Sequence, residues 1–166
     1  MAMTGHPDIV IVCDHGRKGD GRIEHERCDL VAPIIWADED QGWLPQAPAV
    51  ATFLDPDNRP RAVVGLEPNN TRLRPGARRD GWTRSHWEFR CPKYSTGPKR
   101  DCTQPPWRIR NERLQRLCDG LAGDPAFVAA AAQAIPYGVA VQTGAVVVTL
   151  GALAAISRHA AEQRGG

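Results

Sequence analysis

The stretch CDHG, Cys13 to Gly16, decides the fold that this sequence predicts, because it places two metal-binding side chains at a tight turn. It directly follows DIVIV, Asp8 to Val12, which is a short β-rich run. A strand that ends in a Cys and His pair at a glycine turn is typical of a zinc knuckle. The sequence therefore predicts one half of a structural zinc site at the end of the first strand.

The second half of this site is predicted much later in the chain. The segment HWEFRC, residues 86–91, alternates apolar and polar residues like a half-buried strand and ends in a cysteine. The segment WRIR, residues 107–110, can form the return strand of a hairpin, which would bring Cys91 and Cys102 together. The predicted ligands of one structural zinc ion are Cys13, His15, Cys91 and Cys102.

Two further residues leave an alternative ligand set open. His25 and Cys28 in the segment HERC also have metal-ligand spacing and could complete the site with Cys13 and His15. We favour the set with Cys91 and Cys102, because structural metal sites stabilise most when they join distant chain segments. The remaining alternative is a group of ordinary buried cysteines with a surface histidine.

The fold class indicated by these patterns is α+β. Residues 1–110 are predicted to form a small β-rich, zinc-ribbon-like domain with a long loop at 67–85, which is rich in Pro, Gly and charged residues. An extended region at 28–36 is expected to pair with a strand at 50–54 or at 62–66. Residues 111–166 are predicted to form a mainly α-helical region that packs on this domain.

The C-terminal region has clear helix signals. Asn111 is a candidate N-cap, and Leu114, Leu117, Cys118 and Leu121 lie on one helical face, so Cys118 is expected in the core. The predicted order is helix, helix, strand, helix. The second helix begins at Asp124-Pro125 and runs to Ala134, the strand covers 145–148, and the last helix covers 150–162 after a cap at Thr149.

A membrane-spanning segment is the alternative interpretation of part of this region. Residues 138–156 are about as long and apolar as the roughly 20 residues that a membrane helix needs. Gln142 and Thr143 lie near its middle, and the run divides into a β-branched half and an Ala/Leu half. The pattern therefore favours a strand followed by a helix over a membrane span.

The charge distribution suggests a partner. The formal net charge is +2, but residues 1–58 carry −7 and residues 59–116 carry +10. A basic segment that also contains Trp82, Trp87, Phe89, Tyr94 and Trp107 can bind nucleic acid by contacting phosphates and stacking bases. The alternative is that these arginines are solvated and face the acidic first third of the chain. The predicted nucleic-acid-binding residues are Arg78, Arg79, Arg84, Arg90, Lys93, Lys99, Arg100, Arg108 and Arg110.

Catalysis is not predicted. The sequence contains no nucleophile elbow, no phosphate-binding loop and no paired-carboxylate arrangement, and a zinc ion with four protein ligands has no open position for a substrate. The five cysteines and the absence of a secretory signal at the first residues favour a reducing cytoplasm.

The elements quoted above, CDHG, FRCP, NERLQRLCDGLAG and VVVTLGALAAISR, occur in an order that resembles the small zinc-ribbon-type proteins of actinobacteria and their phages. The resemblance covers the knuckle near residue 13 and most of residues 86–158. It implies a zinc-ribbon core followed by helix, strand and helix, and it implies no activity. That group has two closely spaced cysteines where this chain has Cys91 and Cys102 separated by an insertion.

Two functions fit these observations. The first is a non-enzymatic, zinc-stabilised protein, encoded by a phage or mobile element, that contacts nucleic acid through its basic aromatic segment. The second is a protein-interaction factor that has a structural zinc and is directed at a host or virion protein, because Trp and Arg are also common interface anchors.

Overall fold

The structure is a computed structural model of the full chain. It describes residues 9–15, 29–39, 42–46, 49–54, 57, 59–62, 83–94, 102–135, 138–142 and 144–163. These residues form two β-sheets and three α-helices, with the helices in the C-terminal part, which is consistent with an α+β fold. The predicted fold class is confirmed.

The first sheet has five strands in the order β3-β2-β1-β9-β8. Strand β1 is antiparallel to β2 and parallel to β9, while β3 and β8 are antiparallel additions at the two edges. The strands are β1 (Ile9–Cys13), β2 (Asp29–Trp36), β3 (Trp43–Pro45), β8 (Val139–Gln142) and β9 (Ala145–Thr149).

Strands β1 and β9 form the centre of this sheet because both are rich in β-branched residues. Ile9, Ile11 and Cys13 are fully buried on one face of β1, and four consecutive residues of β9 are buried. Continuous burial is typical of parallel strands that are covered on both faces. The C-terminal valine-rich segment is therefore built into the core beside the first strand of the chain.

The second sheet has four antiparallel strands in the order β5-β4-β6-β7. Strand β6 alternates as the sequence predicted, with Trp87 and Phe89 fully buried between partly exposed neighbours. The predicted hairpin of β6 and β7 is confirmed by their antiparallel pairing. The strands are β4 (Val50–Leu54), β5 (Pro60–Ala62), β6 (Thr83–Phe89) and β7 (Trp107–Arg110).

The three helices are α1 (Asn111–Gly123), α2 (Pro125–Ala134) and α3 (Leu150–Gln163). The Asp124 side chain caps α2 by accepting hydrogen bonds from two backbone N–H groups of its first turn. The Thr149 hydroxyl caps α3 by accepting the N–H of Ala152 at 3.2 Å. Both predicted caps are confirmed.

Helix α1 joins the two sheets, because it contacts strands of both. Its buried face is the predicted one, with Leu114, Leu117, Cys118 and Leu121 in the core. Polar contacts also position the helix on β3. The Gln115 side chain accepts the N–H of Trp43 at 2.8 Å and donates to its carbonyl at 2.9 Å.

Three local predictions were wrong. Strand β2 pairs with β1 and β3, whereas β4 lies in the other sheet, so the expected pairing of 28–36 with 50–54 does not occur. The alternative partner at 62–66 lies outside the described residues except for Ala62, which ends β5 in the other sheet. Asn111 is the first residue of α1 and not its cap, because its side-chain oxygen accepts the Trp87 indole N–H at 2.9 Å. Strand β8 was not predicted, since the helix before it was expected to lead directly to one strand.

The sheet topology also bears on the predicted loop at 67–85 and on the predicted C-terminal region. Residues 83–85 of the predicted 67–85 loop belong to β6, and residues 63–82 lie outside the described part. Strands β8 and β9, which come from the predicted C-terminal region, share a sheet with β1, β2 and β3. The boundary between residues 110 and 111 stays a prediction.

Candidate metal centre

The candidate site lies where strands of the two sheets end. Cys13 is the last residue of β1, and His15 follows it in a turn. Cys91 comes two residues after β6 and Cys102 comes five residues before β7, so both belong to the segment that joins these strands. All four residues are buried, with exposed fractions of 0%, 7%, 1% and 0% for the whole residue in chain order.

The four potential ligand atoms form a compact cluster. All of them lie within 4.8 Å of one another. The Cys13 and Cys102 sulfurs are 3.6 Å apart, and the Cys91 sulfur is 3.5 Å from Nδ1 of His15. Tetrahedral zinc bonds would separate two sulfurs by about 3.8 Å and a sulfur from a nitrogen by about 3.6 Å. This buried Cys3His cluster can therefore hold a metal ion.

The same backbone hydrogen bond occurs at all three cysteines. Each sulfur is approached by the N–H group of the residue two positions later in the chain, which is the geometry of a tight turn around a metal-binding thiolate. Such bonds favour the charged form of the sulfur. The donors are His15 to Cys13 at 3.3 Å, Lys93 to Cys91 at 3.5 Å, and Gln104 to Cys102 at 3.4 Å.

His15 adopts a left-handed backbone conformation, with φ of 62°. A non-glycine residue with positive φ is uncommon and is found at tight turns and ligand sites. Here the conformation lets the N–H of His15 reach the Cys13 sulfur while its ring points toward Cys91. Its carbonyl accepts two hydrogen bonds from Thr103, at 3.3 Å from the backbone and 3.1 Å from the hydroxyl, so the turn is joined to the Cys102 segment.

Burial governs the protonation of the thiols when no metal is bound. It raises the pKa of Cys13 strongly and raises the pKa of Cys91, and the Cys102 thiol adds to both shifts. The backbone N–H bonds act in the opposite direction but are outweighed. Without a cation the Cys13 and Cys91 thiols therefore keep their protons at neutral pH. A bound metal would displace these protons.

The outer surroundings of the cluster include a residue that the sequence did not indicate. The carboxylate of Asp29 lies 2.7 Å from Nε2 of His15 and 3.3 Å from the Lys93 ammonium. Asp29 begins β2 and is paired in register with Cys13 on β1. A single aspartate at the start of an apolar run has no local pattern that marks it, so only the strand register places it at the site.

The structure brings together the predicted metal ligands in the part of the chain that it describes. The four favoured residues come together, although residues 95–101 between the later two cysteines lie outside the described part. The alternative ligands His25 and Cys28 also lie outside it. Cys118 is buried in the α1 face, as expected of a core residue.

The predicted nucleic-acid-binding residues are divided by the structure. Arg108 and Arg110 are exposed on β7, where they alternate with buried Ile109. Arg90 is exposed and pairs with Glu88 at 3.2 Å. The structure also describes Lys93, which is exposed and pairs with Asp29, and Arg84, whose guanidinium lies over the Phe53 and Trp87 rings. Arg78, Arg79, Lys99 and Arg100 lie outside the described residues.

The aromatic part of that prediction was wrong for two residues. Trp87 and Phe89 are fully buried, so neither ring can stack on a base. Trp107 is half-buried, with its ring centroid 5.8 Å from that of Phe89. Tyr94 is half-buried as well, and Trp82 lies outside the described residues. The aromatic residues of β6 are core residues, because strand alternation turns them inward.

An apolar groove of about 350 Å³ lies between the helices and the edge of the first sheet. It is lined by Leu121 of α1, Val128 of α2 and Val141 of β8, among others, and Val141 is 63% exposed. From Pro125 to Ser157 the sequence has no charged residue, so this part of the surface is neutral. The groove is a second surface feature, made by elements other than those that carry the metal centre.

Comparison with known proteins identifies no relative. No family model matches the chain, and neither a curated protein nor a solved structure is similar to it. The resemblance to zinc-ribbon-type proteins of actinobacteria and their phages therefore stays a prediction. Among the described helices, none combines the length and apolarity that crossing a membrane requires. Residues 138–156, the alternative membrane-spanning segment, contain β8, β9 and the start of α3.

Proposed function

We propose that this chain is a non-enzymatic binding protein that is stabilised by one structural zinc ion and contacts nucleic acid through the outer face of β6 and β7. The observation that carries the proposal is the meeting of four buried ligand atoms at the ends of β1, β6 and β7. An ion bound there joins the two sheets and holds the hairpin whose outer face carries arginines.

Zinc is the metal that suits this set of donors best. Three thiolates and one imidazole are a usual ligand set for structural zinc, and the 3.6 Å between the Cys13 and Cys102 sulfurs is close to the separation in a tetrahedral zinc site. With four protein ligands no position remains for a substrate, so the ion stabilises the fold and does not act as a catalyst. Reduced thiols also fit a cytoplasmic setting.

Metal analysis tests the zinc centre. We expect the purified full chain to contain one zinc per molecule and the Cys102→Ser variant to lose most of it. The matched control is Cys118→Ser, which changes a buried cysteine outside the cluster. A wild-type chain that takes up no zinc, or a Cys102→Ser variant with unchanged zinc content, would contradict the zinc centre.

The outer face of β6 and β7 is the basic surface nearest to the site in the chain. His86 is paired in register with Arg110, and Glu88 with Arg108. Their neighbours Trp87 and Ile109 point into the core, so these four side chains point outward. With Arg90 at the end of β6 the face carries three arginines and one glutamate, which is an excess of positive charge suited to a phosphate backbone.

The metal centre and this face are mechanically connected. Cys91 follows β6 closely and Cys102 precedes β7, so metal binding fixes the two ends of the arginine-bearing strands relative to each other. Fixed charges lose less conformational entropy on binding a polyanion than mobile ones do. We therefore expect nucleic acid affinity to fall when zinc is removed.

A salt series with single-stranded and double-stranded oligonucleotides tests this function. Each phosphate contact contributes about 0.9 to the slope of log K against log salt for a duplex, and about 0.7 for a single strand. We expect the double variant Arg108→Ala/Arg110→Ala to weaken binding at all sequences and to reduce the slope by about 1.4 to 1.8.

The control for this series is Arg158→Ala, which removes an exposed arginine from α3, a helix outside the β6 and β7 hairpin. We expect it to leave both affinity and slope unchanged. Binding that does not depend on salt in the wild-type chain, or equal losses in the control and the double variant, would exclude β6 and β7 as the nucleic acid surface.

A protein partner is the second candidate, and the neutral groove favours it. Its apolar lining and the exposed Val141 suit an apolar segment of another protein. The test is capture of a partner after nuclease treatment by the wild-type chain and by Val141→Asp. Leu30→Asp is the matched control, since Leu30 is 51% exposed on β2. Capture that survives Val141→Asp, or that requires nucleic acid, counts against this function.

A further inference from the structure

The environment of His15 differs on the two sides of its ring. Nδ1 lies 3.5 Å from the Cys91 sulfur, inside the cluster of ligand atoms. Nε2 lies 2.7 Å from the carboxylate of Asp29, outside the cluster. The His15 side chain is only 5% exposed, so the ring is held between these two neighbours with little contact with water.

This arrangement decides which nitrogen carries the hydrogen. An ionised carboxylate can only accept hydrogen bonds, so Nε2 of His15 must be the donor to Asp29. In a neutral imidazole the other nitrogen then has a free lone pair. That nitrogen is Nδ1, which lies 3.5 Å from the Cys91 sulfur.

Two independent contacts hold Asp29 in place. Its backbone is paired in register with Cys13, so the strand pairing of β1 and β2 sets its position beside the first ligand. Its carboxylate also contacts the Lys93 ammonium at 3.3 Å, and the backbone N–H of Lys93 binds the Cys91 sulfur. The contacts form a closed ring from Asp29 through His15, Cys91 and Lys93 back to Asp29.

We propose that Asp29 is a positioning residue of the metal centre, which orients His15 so that it binds zinc through Nδ1, with Lys93 holding the carboxylate in place. This inference rests on the proposed zinc centre. Asp29 does not itself contact the metal. It fixes the ring and its tautomer and makes the imidazole a stronger donor, as carboxylates hydrogen-bonded to metal-binding histidines do.

Zinc affinity measured by competition with a chromophoric chelator tests the role of Asp29 in the full chain. We expect Asp29→Ala to bind zinc about 10- to 100-fold more weakly than the wild type. Asp29→Asn retains an oxygen that can accept the Nε2 hydrogen bond, so its loss should lie near the lower end of this range.

The matched control is Glu88→Gln. Glu88 is 36% exposed and pairs with Arg90 at 3.2 Å, whereas Asp29 is 33% exposed and pairs with Lys93 at 3.3 Å, so the two carboxylates differ mainly in contact with His15. We expect Glu88→Gln to keep the wild-type zinc affinity.

A long-range proton–nitrogen correlation spectrum of the zinc-bound chain provides a readout that general destabilisation does not change. We expect His15 to show a hydrogen on Nε2 and metal-bound Nδ1 in the wild type. Zinc bound through Nε2, or an Asp29→Ala affinity equal to that of the wild type, overturns the role of Asp29 while leaving the zinc centre intact. A wild-type chain that binds no zinc overturns the centre itself and this inference with it.

Discussion

The metal centre and the C-terminal segment from α2 to α3 are built from different interactions. At the metal centre, four ligand atoms from distant parts of the chain meet in a buried place that is rich in thiols. In the C-terminal segment, stability comes from aliphatic side chains such as Val148, Leu150, Leu153 and Ile156, all of which are buried. We therefore expect the stability of the first region to depend on metal and pH, and that of the second to depend on side-chain volume.

The largest expected difference in stability is between two buried cysteines, Cys91 and Cys118, when each is replaced by alanine. Cys91→Ala removes a ligand, so we expect loss of bound zinc and a decrease in unfolding free energy of at least about 4 kcal/mol, which is the stabilisation by a ligand at a thousandfold excess over its Kd. Cys118→Ala leaves the cluster intact and should cost about 1 to 2 kcal/mol for the lost core contacts. Denaturant unfolding with zinc present measures both, and equal effects would contradict the difference between the regions.

A core truncation in the C-terminal segment should have the next largest effect. Leu153 is 1% exposed on α3, so Leu153→Ala is expected to lower the unfolding free energy by about 3 kcal/mol through lost burial and the cavity left behind. Zinc stoichiometry should not change, because none of the four ligands belongs to α3. Loss of zinc in this variant would show that the two regions are not separable.

The pH dependence of zinc binding should distinguish the regions further. Because burial raises the pKa of Cys13 and of Cys91, both thiols are protonated in the metal-free fold at neutral pH and must release a proton to bind zinc. Affinity should therefore rise with pH by at least about a hundredfold per unit, or about 2.7 kcal/mol, near neutrality, because these two thiols alone release two protons. Chelator competition at several pH values measures this slope. An affinity that is flat between pH 6 and 8, taken as roughly the neutral range, would show that these thiols are already ionised.

The smallest expected effect concerns a helix cap. The Asp124 carboxylate accepts the N–H groups of Ala126 and Phe127 at 3.1 and 3.2 Å. Asp124→Ala should lower the unfolding free energy by about 1 kcal/mol, with zinc affinity unchanged. Asp124→Asn keeps an acceptor oxygen and is the control, so thermal unfolding should separate the two variants. A cap variant as stable as the wild type would mean that α2 is held by its tertiary contacts alone.

The sequence predictions succeeded where structure depends on neighbouring residues and failed where it depends on residues far apart in the chain. The C-terminal helices and their caps at Asp124 and Thr149 were predictable, because capping and helical periodicity depend on neighbouring residues. The pairing of β2 with residues 50–54 was predicted wrongly, since strand pairing depends on residues far away in the chain. The prediction that Asn111 is a helix cap was wrong for a related reason, because its side-chain oxygen accepts the indole N–H of Trp87 on β6.

The residue types of the candidate site could be predicted from the sequence, but their spatial arrangement could not. Cys13, His15, Cys91 and Cys102 stand out because thiols and imidazoles at strand ends are typical of metal sites. Nothing local marks Asp29, whose position beside His15 depends on the register of β1 and β2. The alternation in β6 predicted a half-buried strand, whereas the assignment of Trp87 and Phe89 to nucleic acid rested on composition alone, and both rings are buried.

Local periodicity and side-chain chemistry were enough to predict the α+β class, the helices of the C-terminal part and the favoured ligand set of Cys13, His15, Cys91 and Cys102, with His25 and Cys28 left open as alternatives. Only the tertiary structure decided that β9 lies parallel to β1 and that Asp29 faces His15. Such contacts join residues that are remote in the chain, and their free energy comes from burial and hydrogen bonds that exist only once the strands have paired.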